Sequence, residues 1–329
     1  MGLEDEFGVW TEDKDQMGKL ASTYFDTMFT TSNPTGFDEI LNCLVPTVTK
    51  EMNNSLKKPY MAEEVLKALH HMAPLTAPGP DGMSPIFYKS FWHIVGIDVT
   101  KVVLTALNSG TISDSINSTF IALIPKIKDP KKVSDFRPIS LCSVVYKLIA
   151  KVLVNRLKLI LPYVVSDSQS AFLSGRMITD NVLVAFETLH FLKWKTQGKD
   201  GYMALKLDMS KAYDIVEWDF LERAMLHLGF AGSFVATIMS CIKSVSYSVL
   251  LNGVSGRTIK PSRGLRQGDP LSPYLFLLCA MGLQGLLLKA ESEGVIRGVS
   301  ICRNGPRVSH LFFADDSVLF CCAKESECR

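Results

Sequence analysis

The chain has 329 residues, 47% hydrophobic and 21% charged, enough to bury a substantial core and to hold two or three subdomains. Its formal net charge of +2 is too small to mark the whole molecule as a polyanion binder, so a nucleic-acid partner has to be read from local patches. Eight cysteines, with no signal peptide read in this sequence and no Cys-x-x-Cys or paired-His spacing, argue for free thiols in a reducing compartment, speak against a zinc site, and give an intracellular protein, not a secreted one, as the expectation.

In chain order, 17–29 and 62–72 predict short amphipathic helices, the second with Val65, Leu66 and Leu69 on one face. Ala77-Pro78-Gly79-Pro80-Asp81-Gly82 predicts a rigid turn. Residues 121–124 read as a short strand running into a lysine-rich loop. Beyond the loop, Arg137 stands between Phe136 and Pro138, a stiff mounting for a guanidinium that can fork onto phosphate oxygens. From Ile121 to Leu161 nine Lys or Arg (Lys126, Lys128, Lys131, Lys132, Arg137, Lys147, Lys151, Arg156, Lys158) face Asp129 and Asp135, a local excess of seven. A helix over 144–161 puts Lys147, Lys151, Asn155 and Lys158 on one stripe, which is either a solvated face or a contact with a nucleic-acid backbone.

Residues 202–207 alternate as a partly buried strand that ends on Asp208. Tyr213 follows five positions later, where a bulky ring close to a substrate sugar would collide with a 2′-hydroxyl. A helix is expected over 217–228, stopped by Gly229. Residues 247–251 and 254–259 form a hairpin through Asn252-Gly253, a strong type I′ signal. The loop 262–273, with Arg266, Gln267 and Gly268 between glycines that let backbone approach a ligand, leads into an apolar helix expected to be capped by Ser272, with Pro273 in its first turn. That helix, apolar over 275–288, reads as buried and too short to span a bilayer.

The stretch His310 to Phe320 interrupts an apolar run with Asp315-Asp316, a strand, tight turn and strand. Two carboxylates about 4 Å apart repel by roughly 4 kcal/mol at an effective dielectric near 20, so such a pair wants a cation. Alone, the pair would be a solvated turn. With Asp208 beside it, it offers an oxygen-rich pocket for a pair of hard divalent ions, the arrangement of phosphoryl-transfer sites.

Taken together these stretches resemble the reverse transcriptase of non-LTR (LINE-type) retrotransposons, the plant-like branch in particular. Leu123-Ile124-Pro125-Lys126 with Phe136-Arg137-Pro138-Ile139-Ser140-Leu141 is similar to the first fingers block, and Gln169-Ser170-Ala171-Phe172 with Gly175-Arg176 to the second. Lys206 to Asp214 resembles palm motif A, Gly264 to Phe276 motif B, and Phe313-Ala314-Asp315-Asp316 motif C; Ala77 to Gly82 looks like an extra block ahead of the fingers. The resemblance implies an α+β, right-hand polymerase fold without its thumb: a helical lead-in over 1–74, fingers over 75–201, and a palm over 202–329 cut short after the Asp-Asp motif. It implies an RNA-directed DNA polymerase that uses an RNA template, a DNA primer and dNTP, with Asp208, Asp315 and Asp316 holding two Mg2+ ions for which Mn2+ can substitute.

By the same carry-over Tyr213 gates the sugar, Arg137 and Lys126 meet the triphosphate, Gln267 and Gly268 touch the template and nascent pair, and Lys128, Lys131, Lys132 and Arg266 contact nucleic acid. The family suggests nucleus and cytoplasm as the location, with no membrane and no obligate protein partner. Two departures stand out: Ile215 where relatives usually carry Arg, and Thr76 where Lys is common. The chain stops thirteen residues past Asp316, so it is expected to be a fragment. The competing expectation is a catalytically inactive remnant that at most binds RNA; an RNA-templated RNA polymerase is a third, against which Tyr213 argues.

Overall fold

The computed structural model describes residues 2–195, 201–302 and 305–328. Its longer helices are α1 (Lys14–Phe29), α2 (Ala62–His70), α3 (Trp92–Ser109), α4 (Val144–Val164), α5 (Ile178–Trp194), α6 (Trp218–His227), α7 (Gly232–Lys243) and α8 (Ser272–Ser292). The strands that position the site are β1 (Ser118–Pro125), β2 (Phe136–Cys142), β3 (Tyr202–Asp208), β4 (Ser246–Leu251), β5 (Val254–Ile259), β6 (His310–Phe313) and β7 (Asp316–Cys322). The chain carries both helices and sheets, and the strand pairs of its two main sheets are antiparallel except for β1 with β4, in keeping with an α+β fold.

Two sheets carry the architecture. One has the order β2-β1-β4-β5, with β1 antiparallel to β2 and parallel to β4. Its β4–β5 hairpin turns through Asn252 and Gly253 at φ +51 and +81, the conformation a type I′ turn demands. The other has the order β6-β7-β3, antiparallel throughout. The first sheet takes two strands from before residue 201 and two from after it. The expected division at 201/202 therefore cuts through one sheet; it abuts residues 196–200, which lie outside the described residues.

Helix α4 corrects the reading of a basic stripe. Fourteen of its 21 residues are buried, Lys147 and Arg156 among them. The Lys147 ammonium donates to the Ala77 carbonyl (2.7 Å), which ties the Ala77 to Gly82 turn to the start of α4, where Gly79 leaves no room for a Cβ beside Ser143. Arg156 forks onto Glu64 (Nε to Oε1 and Nη2 to Oε2, both 2.8 Å), reaches the carbonyls of Leu56 (2.8 Å) and Pro59 (3.0 Å), and lies 3.7 Å over the Tyr60 ring. A charge can be interior when its donors are this fully used. Lys151 and Lys158 are half-buried, the latter 5.4 Å from the Tyr274 ring centre.

Helix α8 starts one residue earlier than its cap signal suggests. Leu271 is the N-cap and Ser272 the first helical residue, because the Asp269 carboxylate accepts from Leu271 N (2.8 Å) and holds the preceding turn. At 21 residues α8 is long and apolar enough, by length and composition, to cross a membrane, unlike the shorter span read from sequence. In the fold it packs against α6, with Leu275, Phe276, Leu277 and Leu278 buried.

Candidate active site

The β6–β7 hairpin pairs Phe313 with Asp316 and turns through Ala314 and Asp315 alone. Asp208, the last residue of β3, is the register partner of Asp316. Directly opposed residues in an antiparallel pair lie about 4.5–5.5 Å apart at Cα and share a face, so acids more than a hundred positions apart in sequence meet at one end of the sheet. Asp208 and Asp315 both border a cleft of about 680 Å3, together with Lys126, Arg137, Tyr213, Asp214, Gln267 and Gly268.

Asp316 departs from the expected triad. Its carboxylate is not part of the cleft wall; Oδ1 lies 3.0 Å from Lys206 Nζ, on a solvent-exposed surface. Among the described residues no three metal-ligating side chains form a cluster. The arrangement is a cleft-facing pair, Asp208 and Asp315, with the third acid beside it on a lysine. An ion pair this exposed is weak, so a more highly charged cation can displace it.

The segment after Asp208 builds the floor. The Tyr213 ring stacks on Phe276 (centroids 4.9 Å, planes at 10°), and its carbonyl accepts from Leu265 N (2.7 Å). Burial, then the Asp315 charge, push its phenol up to about 12. Next to it Asp214 is buried (4% exposed), and the Gln267 side-chain amide donates to both its oxygens (Nε2 to Oδ1 3.1 Å, to Oδ2 3.3 Å). Burial lifts the Asp214 carboxyl to about 6, against the opposing pull of Gln267, Lys126 and Lys211. Sequence reasoning gave Asp214 no role; its signal is an acid directly after an aromatic on a segment otherwise packed into the core. Gly264, at φ +95, passes so close to the Asp214 carbonyl that a Cβ would not fit, which lets the Gln267 loop close over this floor. Gln267 O accepts from Ser140 N (2.8 Å) and completes the join to β2.

Lys126 and Arg137 stand on the basic side of the cleft, Lys126 also donating to Ser134 O (2.9 Å). Lys128, Lys131 and Lys132 are exposed on the connection between β1 and β2, where the backbones of Lys131 and Lys132 donate to Asp135 Oδ2 (3.0 and 2.9 Å). They do not border the cleft. Ile215 is exposed, and Thr76 ends a turn by donating to Ala73 O (2.9 Å).

Arg266 is a correction. Its guanidinium is sealed in the core, 2.7 Å from Asp269 Oδ2 and 3.8 Å over the Tyr146 ring, with Asn117 Oδ1 and Cys241 O as further acceptors. Tyr146 OH donates to the same Asp269 oxygen (2.7 Å). Arg266 is part of the cleft wall, but at 2% exposure its side chain is turned into the core and braces the fold instead of presenting a free cation to a nucleic acid.

A family model described as reverse transcriptase (RNA-dependent DNA polymerase) matches residues 127–328. The chain is 30% identical over 316 residues to an uncharacterized 149 kDa protein of transposon TX1 from Xenopus laevis, covering 95% of this chain and 24% of that protein. It is 30% identical over 278 residues to the retrovirus-related Pol polyprotein from type-2 retrotransposable element R2DM of Drosophila melanogaster, covering 82% of this chain and 24% of that protein. An uncharacterized mitochondrial protein of Arabidopsis thaliana shares 52% identity over 68 residues, 21% of this chain and 56% of that one. The chain thus spans about a quarter of the transposon and Pol proteins it matches.

Proposed function

Since this chain belongs to the reverse transcriptase (RNA-dependent DNA polymerase) family and is related to non-LTR retrotransposon proteins, we propose that its cleft joins a deoxynucleotide to a primer 3′-hydroxyl on an RNA template. One observation carries this reading: Asp208, at the end of β3, and Asp315, in the β6–β7 turn, border the same cleft as Tyr213 and the basic pair Lys126 and Arg137. A carboxylate pair at the mouth of a polar cleft is a donor set suited to hard divalent ions, in keeping with the divalent metals the family uses. Two magnesium ions, or manganese in their place, would supply activation of the hydroxyl and neutralisation of charge on the phosphates. Asp208 and Asp315 would hold them, joined by Asp316 once Lys206 is displaced.

Arg137 and Lys126 would orient the triphosphate, and Tyr213, pinned by Phe276, would deny room to a 2′-hydroxyl. Gln267 and Gly268 would touch the nascent pair. Lys128, Lys131 and Lys132 would meet the RNA backbone through salt-sensitive contacts. In right-hand terms the β1–β2 hairpin falls to the fingers and the β6-β7-β3 sheet to the palm. The plant-like branch, and action in nucleus and cytoplasm, are part of the same reading.

The test is incorporation of labelled dNTP by the full chain on an RNA template with a DNA primer, in magnesium or manganese. Asp208→Asn should lower incorporation ~100-fold or more, the equivalent of about 3 kcal/mol of transition-state stabilisation. Tyr213→Ala should admit ribonucleotides. No incorporation in either metal rejects the reading. A second reading, RNA binding without turnover, draws on the Lys206 cation seated on Asp316. It predicts salt-sensitive RNA binding with no extension in either metal.

A further inference from the structure

We propose that Gln169 is a positioning residue for the Asp-Asp hairpin: its buried side-chain amide clips the Ala314-Asp315 turn and so fixes where Asp315 stands. The inference rests on the reading of Asp315 as a metal-binding acid.

Gln169 belongs to neither sheet, and only 2% of it is exposed. It lies on the segment between α4 and α5, which runs beside β6 as one more strand-like rung. Gln169 forms a parallel bridge with Phe312, Phe312 N donates to Ser168 O (2.8 Å), and Ser170 N donates to Phe312 O (3.3 Å). From there the side chain reaches the turn. Its Oε1 accepts from Ala314 N (3.1 Å) and from Ala171 N (3.0 Å), and its Nε2 is 3.5 Å from Ala314 O.

The turn has need of such a hold. Ala314 adopts φ +54, a region that a residue with a Cβ rarely occupies, and Asp315 follows it directly. Without the clip the backbone has reason to relax, and the relaxation would move the next residue first.

The clip is itself anchored. The Arg176 guanidinium donates to Gln169 O (2.8 Å), Ser166 O, Pro162 O (3.0 Å) and Val165 O (2.9 Å), and pairs with Asp167 Oδ1 (3.1 Å). Asn181, on α5, donates to Phe312 O (2.7 Å) and Ser168 O (3.2 Å). Arg176 thus fastens the segment to the end of α4, and Asn181 fastens it to β6. The side chain that bridges segment and turn has to accept two N–H groups through one oxygen. Gln does so without charge; Met has the shape and cannot.

The experiment compares wild type, Gln169→Met and Gln169→Glu in the full chain. Amide exchange at Ala314 and manganese affinity by electron paramagnetic resonance are the readouts. Gln169→Met should fold, exchange at Ala314 at least ~10-fold faster with the β7 core amides unchanged, and bind manganese ~10-fold more weakly, the usual effect of losing an outer support of a ligand. Gln169→Glu keeps the accepting oxygen and should retain protection at Ala314. Should Gln169→Met fail to fold, protection retained in Gln169→Glu supports the clip and protection lost there overturns it. Wild-type exchange at Ala314 in Gln169→Met overturns the proposal, as does fast exchange with wild-type manganese affinity. If wild type binds no manganese, the metal reading fails, and the clip stands or falls on Ala314 exchange alone.

Discussion

At Asp214 burial and ionisation oppose each other. The folded carboxyl titrates near 6 against an ordinary value of 3.8, so the native state holds its proton over a window in which the unfolded chain has lost it. Stability therefore falls as pH rises from about 4 to about 6, the reverse of a salt-bridged acid. Asp214→Asn removes the buried charge and keeps an oxygen for Gln267. It should stabilise the protein at pH 7.5 by ~1–3 kcal/mol and have little effect near pH 3.5, since a tenfold difference in proton affinity between folded and unfolded chain is worth about 1.4 kcal/mol. Thermal melts of both proteins at the two pH values check this; an equal difference at both would show that burial does not govern the site.

The same scale shows what single letters reveal. Asp208 and Asp315 could be singled out only as a set: an Asp-Asp pair alone reads as a solvated turn, and it drew attention because a second strand also ends on an acid. Arg266 was not legible as a core residue, because a cation in a glycine-rich loop reads the same whether it faces solvent or core. Its signal was Asp269 three residues on, and even that needed Tyr146 from a distant helix to become an interior network.

Among elements, the β6–β7 hairpin shows how local chemistry and tertiary support divide the work. In the β4–β5 hairpin, by contrast, Asn252-Gly253 announces the turn in sequence because both residues tolerate positive φ. The Ala314-Asp315 turn is legible as a break in an apolar run, but its positive φ at a residue with a Cβ is not, and it persists through Gln169, a residue 145 positions away. Ala314→Gly relieves a conformation that costs about 1–2 kcal/mol in an L-residue but adds backbone freedom to the unfolded chain. The two nearly offset, so its stability in urea should stay within ~1 kcal/mol of wild type. Ala314→Val, β-branched at the same φ, should lose ~2 kcal/mol or more. Urea denaturation at constant m value measures both, and equal losses would mean that the strain does not reside at φ.

Helix α4 gives the opposite lesson for the same scale. Its period was legible and its exposure was not. Lys147 buries its aliphatic stem and places its ammonium on the Ala77 carbonyl, so a lysine at helical spacing need not mark a wet face.

Over the whole molecule, the order of the motifs suggested fingers followed by palm with a break near residue 201, and the pairing of the chain runs across that break. An apolar run identifies β1 as a strand, but nothing within it names a partner more than a hundred residues away; β4 is that partner, in parallel. Other ties cross the same point. Ser262 N and Arg263 N donate to Phe29 O (2.8 and 3.1 Å), Thr47 N and Val48 N donate to Leu228 O (3.1 and 3.0 Å), and Phe29 packs on Tyr247 with ring centres 5.0 Å apart. Arg266 joins Asn117 and Tyr146, from the first part, to Cys241 and Asp269, from the second.

Residues 1–201 alone would leave β1 with an open edge and Asn117 and Tyr146 without their buried partners. That fragment should show no sigmoidal urea transition by far-UV circular dichroism, whereas the full chain should unfold in one step, with coincident transitions by tryptophan fluorescence and dichroism as the check. Arg266→Ala in the full chain should lower stability by ~3–5 kcal/mol, because Asp269 is left buried without its cation, and should still unfold in one step. A cooperative melt of the fragment, or a second transition in Arg266→Ala, would mean that the first part is a domain in its own right and that the shared sheet is an interface between domains.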